Sequence, residues 1–179
     1  MTTDQSFEHM LTGGHPNSLG RTIEVVELIF ADPARLEELY QCYFSADEVV
    51  RLRVSNAFKR IARAQPTWFL PYVDRFLGEI AHIRQASTQW TLAQLFSESD
   101  DWLTPAQRAA AIEIVQRNLT SWDDWIVLNQ SLEALAHWAR ADAELRAWLK
   151  PQAERLAQDS RRSVAKKASQ VLKQVSKTI

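Results

Sequence analysis

The sequence predicts an all-α protein, a right-handed α-α superhelix of about nine helices. Three observations carry that prediction. A segment made of two amphipathic helices recurs along the chain with drift. The copies of its second helix start at Val50, Ile83, Val127 and Val164, which are 33, 44 and 37 residues apart, the spacing of a helical solenoid. Only four glycines and six prolines occur, which disfavours long loops and a fold built on many tight turns.

The elements follow in order. Residues 1–17, with Thr12-Gly13-Gly14-His15-Pro16-Asn17, show no sustained period and read as a flexible N-terminal tail. Ser18 is the expected N-cap of a helix carrying Leu19, Ile23, Val26 and Phe30, ended by Asp32-Pro33; this is a half repeat over 18–31. Pro33 opens the first full repeat, 33–64, with Leu36, Leu39, Tyr40 and Phe44 on one stripe. Within it Ser45 and Glu48 match a capping box ahead of Val50, Val54, Ala57, Phe58 and Ile61.

The second repeat, 66–97, starts at Pro66 with a helix through about Ile80. Pro71 lies inside that helix and should kink it, because it lacks a backbone donor and clashes with the preceding turn. A helix from about His82 to Ser97 completes it. Thr104-Pro105 is a strong start for the third repeat, 104–140, with Ala109, Ile112, Val115 and Leu119 in line and Ser121 capping a long helix to about Arg140. Asp142 starts the fourth, 142–177, which carries Leu145, Trp148, Leu149 and Leu156, contains Pro151, and ends in a helix capped by Ser160.

Bulk properties narrow the function classes. Hydrophobic residues make up 46% and charged residues 24%, ordinary for a folded domain, and no apolar stretch reaches the length of a membrane span. With no signal-peptide pattern, and with Cys42 alone in an apolar helical run, a cytoplasmic location and an inert thiol are expected. Most of the seven tryptophans read as core anchors. Charge is uneven: residues 1–50 sum to −7 and residues 160–179 to +6. That polarity can steer an elongated partner, or join copies end to end through acidic first helices and a basic last one.

On these residues the chain resembles the HEAT-repeat family of helical solenoids. The likeness lies in Asp47 with Val50-Arg51, in Pro71 inside a first helix, and in Val164 with Ala168-Ser169, and it extends over 18–177. It departs from the family at Leu128 and Ala165, where the arginine is missing. The resemblance implies that second helices line a concave face. The arc opposite the buried positions holds Leu52, Asn56, Lys59 and Arg63, then Asn129, Glu133, Ala136 and Arg140, then Lys166, Gln170, Lys173 and Lys177. From these, Lys59, Arg63, Asn129, Arg140, Lys166, Gln170 and Lys173 are the expected contacts to a protein partner, acidic or extended in character, held without catalysis.

A second reading is nucleic-acid binding. Ser121-Trp122-Asp123-Asp124-Trp125 is similar to the active helix of HEAT-like alkylpurine DNA glycosylases, whose further catalytic aspartate falls here on Ile126. The resemblance therefore implies at most a binding relative without that carboxylate, and an overall charge of −1 argues against strong affinity for phosphates. No metal or cofactor is expected. His9, His15, His82 and His137 are scattered without ligand spacing or a His-Glu pair, and no phosphate loop or nucleophile elbow occurs.

Overall fold

The computed structural model describes residues 5–177, and every regular element in it is helical. It divides into two compact units, residues 1–72 and 73–179, whose first four and last two residues lie outside the described part together with those ends of the expected tail and repeat domain.

The first unit holds α1 (Phe7–Leu11), α2 (Thr22–Ala31), α3 (Leu36–Gln41), α4 (Glu48–Ala64) and α5 (Pro66–Phe69). α4 is its centre and packs against α1, α2 and α5. Val50, Val54, Ala57, Phe58 and Ile61 are each no more than 1% exposed, as the 3.6-residue period requires. Burying side chains of this kind stabilises by roughly 1.5–3 kcal/mol each. Tyr40, Tyr43, Phe58 and Tyr72 pack ring against ring, with Tyr40 and Tyr72 centroids 5.4 Å apart.

From residue 5 onward the expected tail is part of this unit. Phe7 and Leu11 are fully buried, the Phe7 amide donates to Glu38 at 2.7 Å, and the Arg35 guanidinium sits 4.0 Å above the Phe7 ring. The reason is Arg53 of α4, which is 2% exposed. Its guanidinium donates to the carbonyls of Leu11 (2.6 Å), Gly13 (2.7 Å), His15 (3.2 Å) and Ser18 (3.1 Å). A segment without periodicity is thereby fixed through its backbone. Gly20, at φ +51, lies so close that a Cβ there would stand 2.7 Å from the Arg53 Cζ.

Several local expectations shift by a few residues. α2 buries Thr22, Val25, Val26 and Ile29, while Leu19, Ile23 and Phe30 stay 40% exposed; both stripes are apolar, and contact with α4 selects between them. Asp47 rather than Ser45 caps α4, accepting from the Val49 amide at 2.8 Å, and that bond leads in holding its carboxyl below the usual range. Phe44, expected inside, is 53% exposed.

The second unit holds α6 (Val73–Gly78), α7 (Ala86–Glu98), α8 (Pro105–Ser121), α9 (Trp125–Trp138), α10 (Ala143–Leu156) and α11 (Arg162–Ser176). α9 is packed between α7 and α11; α6 meets α8, α8 backs α7 and α9, and α10 backs α9 and α11. The helix expected to run from Pro66 to about Ile80 with a kink at Pro71 is interrupted there instead, by a 3-10 turn, Leu70–Tyr72, between α5 and α6. α10 instead runs unbroken through Pro151. Thr104 and Gln107 form the capping box of α8, with bonds of 3.2 and 3.0 Å.

Other starts move. α8 extends through Ser121, so Asp124 and not Ser121 caps α9, accepting from the Ile126 and Val127 amides. Arg161 rather than Ser160 stands at the start of α11, and Asp159 folds back onto it. Of the tryptophans only Trp138 is buried, whereas Trp102 and Trp125 are about half exposed. The expected second-helix start at Ile83 is also corrected. Ile83 is extended backbone ahead of α7, and the residue placed as Val50, Val127 and Val164 are, third in its helix, is Thr88. All four are fully buried, and the starts then lie 38, 39 and 37 residues apart.

Candidate functional site

In the second unit α7, α9 and α11 lie side by side and leave a shared depression of about 330 Å3. Its lining includes Ser97 and Glu98 from α7, Glu133, His137 and Arg140 from α9 and its end, and Lys167, Gln170 and Gln174 from α11. Lys167 bridges to Glu133 at 2.9 Å, linking α11 to α9 across the floor. Behind it, Asp100 accepts from the Trp138 indole at 2.9 Å, pairs with Arg108 at 2.5 Å and meets His137 Nε2 at 3.2 Å. One carboxylate thus ties the turn after α7 to α8 and α9.

Of the residues expected on this face, Arg140 and Gln170 line the depression, and Lys166 and Lys173 stand exposed on α11 beside it. Among the described residues Arg140, Lys166 and Lys173 make no side-chain hydrogen bond or ion pair. Asn129 has to be withdrawn as a contact. It is only 9% exposed and its Oδ1 is buried without a partner, because α9 is covered from both sides and offers solvent a narrower arc than a single hairpin would. Lys59 and Arg63 lie in the first unit, where with Asn56 and Arg60 they border a separate shallow hollow of about 490 Å3 on α4.

Sequence reasoning missed Ser97, Glu98, His137, Lys167 and Gln174. The α7 contribution was hidden by the misplaced start at Ile83; counted from Thr88, Ser97 falls nine residues on, the offset held by Lys173 in α11. Thr88 and Thr91 occupy buried positions with hydroxyls that find no partner, which is why an apolar period could not locate them.

No nucleophile emerges at Cys42. Burial first, then Glu8 and Glu38, push its thiol up to about 12, so it stays protonated. In the Ser121–Trp125 segment, Asp124 is occupied as the α9 cap. Asp123 accepts from Arg161 at 2.9 Å, a guanidinium shared with Asp159 at 2.8 Å. Comparisons with protein-family models, with curated proteins and with solved structures found no match. The likeness to HEAT repeats therefore rests on the residues themselves. Among the described residues no helix is long and apolar enough to cross a membrane.

Proposed function

We propose that this protein is a non-enzymatic scaffold of the HEAT-like type, a right-handed superhelix that holds an acidic or extended protein segment against its second helices. The observation that carries the reading is the side-by-side packing of α7, α9 and α11, with one buried position matched in each at Thr88, Val127 and Val164. Stacked helices of this kind bury their contacts with neighbours and keep one row of faces free for a partner. On that row Arg140, Lys166 and Lys173 carry charge without an acidic partner among the described residues, whereas Glu133 is already bound to Lys167. An incoming carboxylate would meet three cations in succession.

The test is affinity capture with the intact chain and with the variant Arg140→Glu, Lys166→Glu, Lys173→Glu. Loss of specific proteins from the variant is the expected result, with capture falling more steeply as salt is added. Equal recovery from both forms would end the reading. The basic set on α11 also makes a nucleic-acid test informative: tight duplex binding with a steep salt slope would replace the protein partner by a nucleic acid.

A further inference from the structure

A second concavity of the same unit lies away from that depression, between the chain ahead of α7 and the last turn of α8. Its volume is about 460 Å3, within the range of small-molecule sites, and Ile83, Arg84, Gln89, Arg117 and Trp122 are among its lining residues. It is a built arrangement. Gln89 and Asn118, 1% and 0% exposed, hold each other through Asn118 Nδ2 and Gln89 Oε1 at 2.9 Å. Gln89 Nε2 in turn donates to the Ile83 carbonyl at 2.7 Å and so fixes the loop that carries Arg84.

On this frame sits Arg117. Its Nη2 donates to the Ala81 carbonyl (3.0 Å), Gln89 Oε1 (3.2 Å) and Asn118 Oδ1 (3.1 Å) and its Nε to Asn118 Oδ1 (3.4 Å), while Nη1 finds no acceptor among the described residues. Among the described residues no carboxylate pairs with it, and burial alone shifts its pKa, downward. Arg84, exposed beside it, makes no side-chain hydrogen bond or ion pair among the described residues. The acid on the rim, Asp123, is solvent-exposed and pairs with Arg161 at 2.9 Å, a guanidinium that it shares with Asp159. Two guanidinium groups, neither in an ion pair among the described residues, therefore share a hollow with an indole and an isoleucine.

We infer that this hollow binds a small oxyanion, a carboxylate or a phosphate monoester carried on a flat apolar body, with Arg117 Nη1 and Arg84 clasping the oxygens and Ile83 and Trp122 forming the wall against the ring. Guanidinium donors are suited to such groups because their N–H fork matches two oxygens at once. Gln89 and Asn118 are positioning residues that act through Arg117.

The experiment is a titration of the full chain with phenyl phosphate, benzoate and inorganic phosphate at constant ionic strength, followed by NMR. The Gln89 and Asn118 side-chain amides and the Trp122 indole are the reporters. Saturable shifts at these groups are expected with one or both of the aromatic probes. Phenyl phosphate alone would assign a phosphate ester, and benzoate alone a carboxylate. Arg84→Gln, at an exposed position without bonds, should keep the fold and weaken binding about tenfold, the size of one charge-assisted contact. Arg117→Gln should weaken it at least as much. Absence of saturation with all three probes would overturn the inference, as would unchanged affinity in both variants. Equal affinity for inorganic and phenyl phosphate would remove the apolar wall from it. Shifts produced by a DNA duplex and by none of the small anions would overturn it as well.

Discussion

Arg53 in the first unit and Arg117 in the second both direct a guanidinium at neutral oxygens, and neither forms an ion pair among the described residues. They differ in closure. Arg53 is 2% exposed, with its Nε and both terminal nitrogens donating to four carbonyls, and Gly20 leaves no space at its edge. Arg117 is anchored through its Nε and one terminal nitrogen, its other terminal nitrogen has no acceptor among the described residues, and the residue lines a hollow. The same side chain is structural where its donors are used up and available to a ligand where one edge is left over. Counting donors separates the two roles, and residue type alone does not.

The comparison can be broken most directly at Arg53. Arg53→Met should cost about 3 kcal/mol, because four carbonyls lose a charged donor that is itself buried. Denaturant unfolding would measure it, and hydrogen exchange should place the loss in residues 5–20; a cost below about 1 kcal/mol would mean that the segment is held by Phe7 and Leu11 alone. Gly20→Ala comes next, at about 2 kcal/mol, since the added methyl meets the guanidinium and the backbone sits at φ +51. A neutral result in a melting experiment would show that Arg53 can move aside. Arg117→Met should cost about 1 kcal/mol or less, with exchange raised only around Ala81 and Gln89; a loss as large as that at Arg53 would make Arg117 structural too.

The smallest effect concerns acid. Carbonyl acceptors do not titrate, so the Arg53 and Arg117 bonds should pass unchanged from pH 7 to pH 4. A third arginine, Arg161, depends on carboxylates. Its hydrogen bonds hold Asp159 at about 2, below the value of 3.8 for a free carboxyl. A depressed carboxyl stabilises the fold above its unfolded pKa and loses that contribution as pH falls through the folded one. The link from Arg161 to Asp159 should therefore persist to about pH 4 and fade toward pH 2, visible as shifts of the Asp159 carboxyl in an NMR titration. Loss of that link above pH 5 would contradict the geometry.

Much of the helical layout could be read from the chain because it depends on local chemistry. Thr104-Pro105 with Gln107 is a complete start signal within four residues, and the α4 stripe from Val50 to Ile61 repeats with the helix. What escaped depends on distant partners. α2 carries two apolar stripes, and only contact with α4 tells them apart. The α7 register was hidden because Thr88 and Thr91 fill core positions that the eye assigns to valine or leucine. Arg53 gave no signal at all: its acceptors are backbone carbonyls 35 to 42 residues earlier, and any residue can supply those. The site was legible in part. Arg140 and Gln170 followed from helical geometry, while Asn129 did not, since burial between two neighbours is not a property of one helix.

The placement of the sulfur and indole groups has a practical consequence. The chain's single thiol, Cys42, is sealed inside the first unit, whereas six of the seven indoles belong to the second and Trp68 alone to the first. Alkylation kinetics would thus time the opening of one unit, and intrinsic fluorescence would follow chiefly the other. The molecule comes with two separate clocks, and their agreement or divergence under denaturant would reveal whether its halves melt as one.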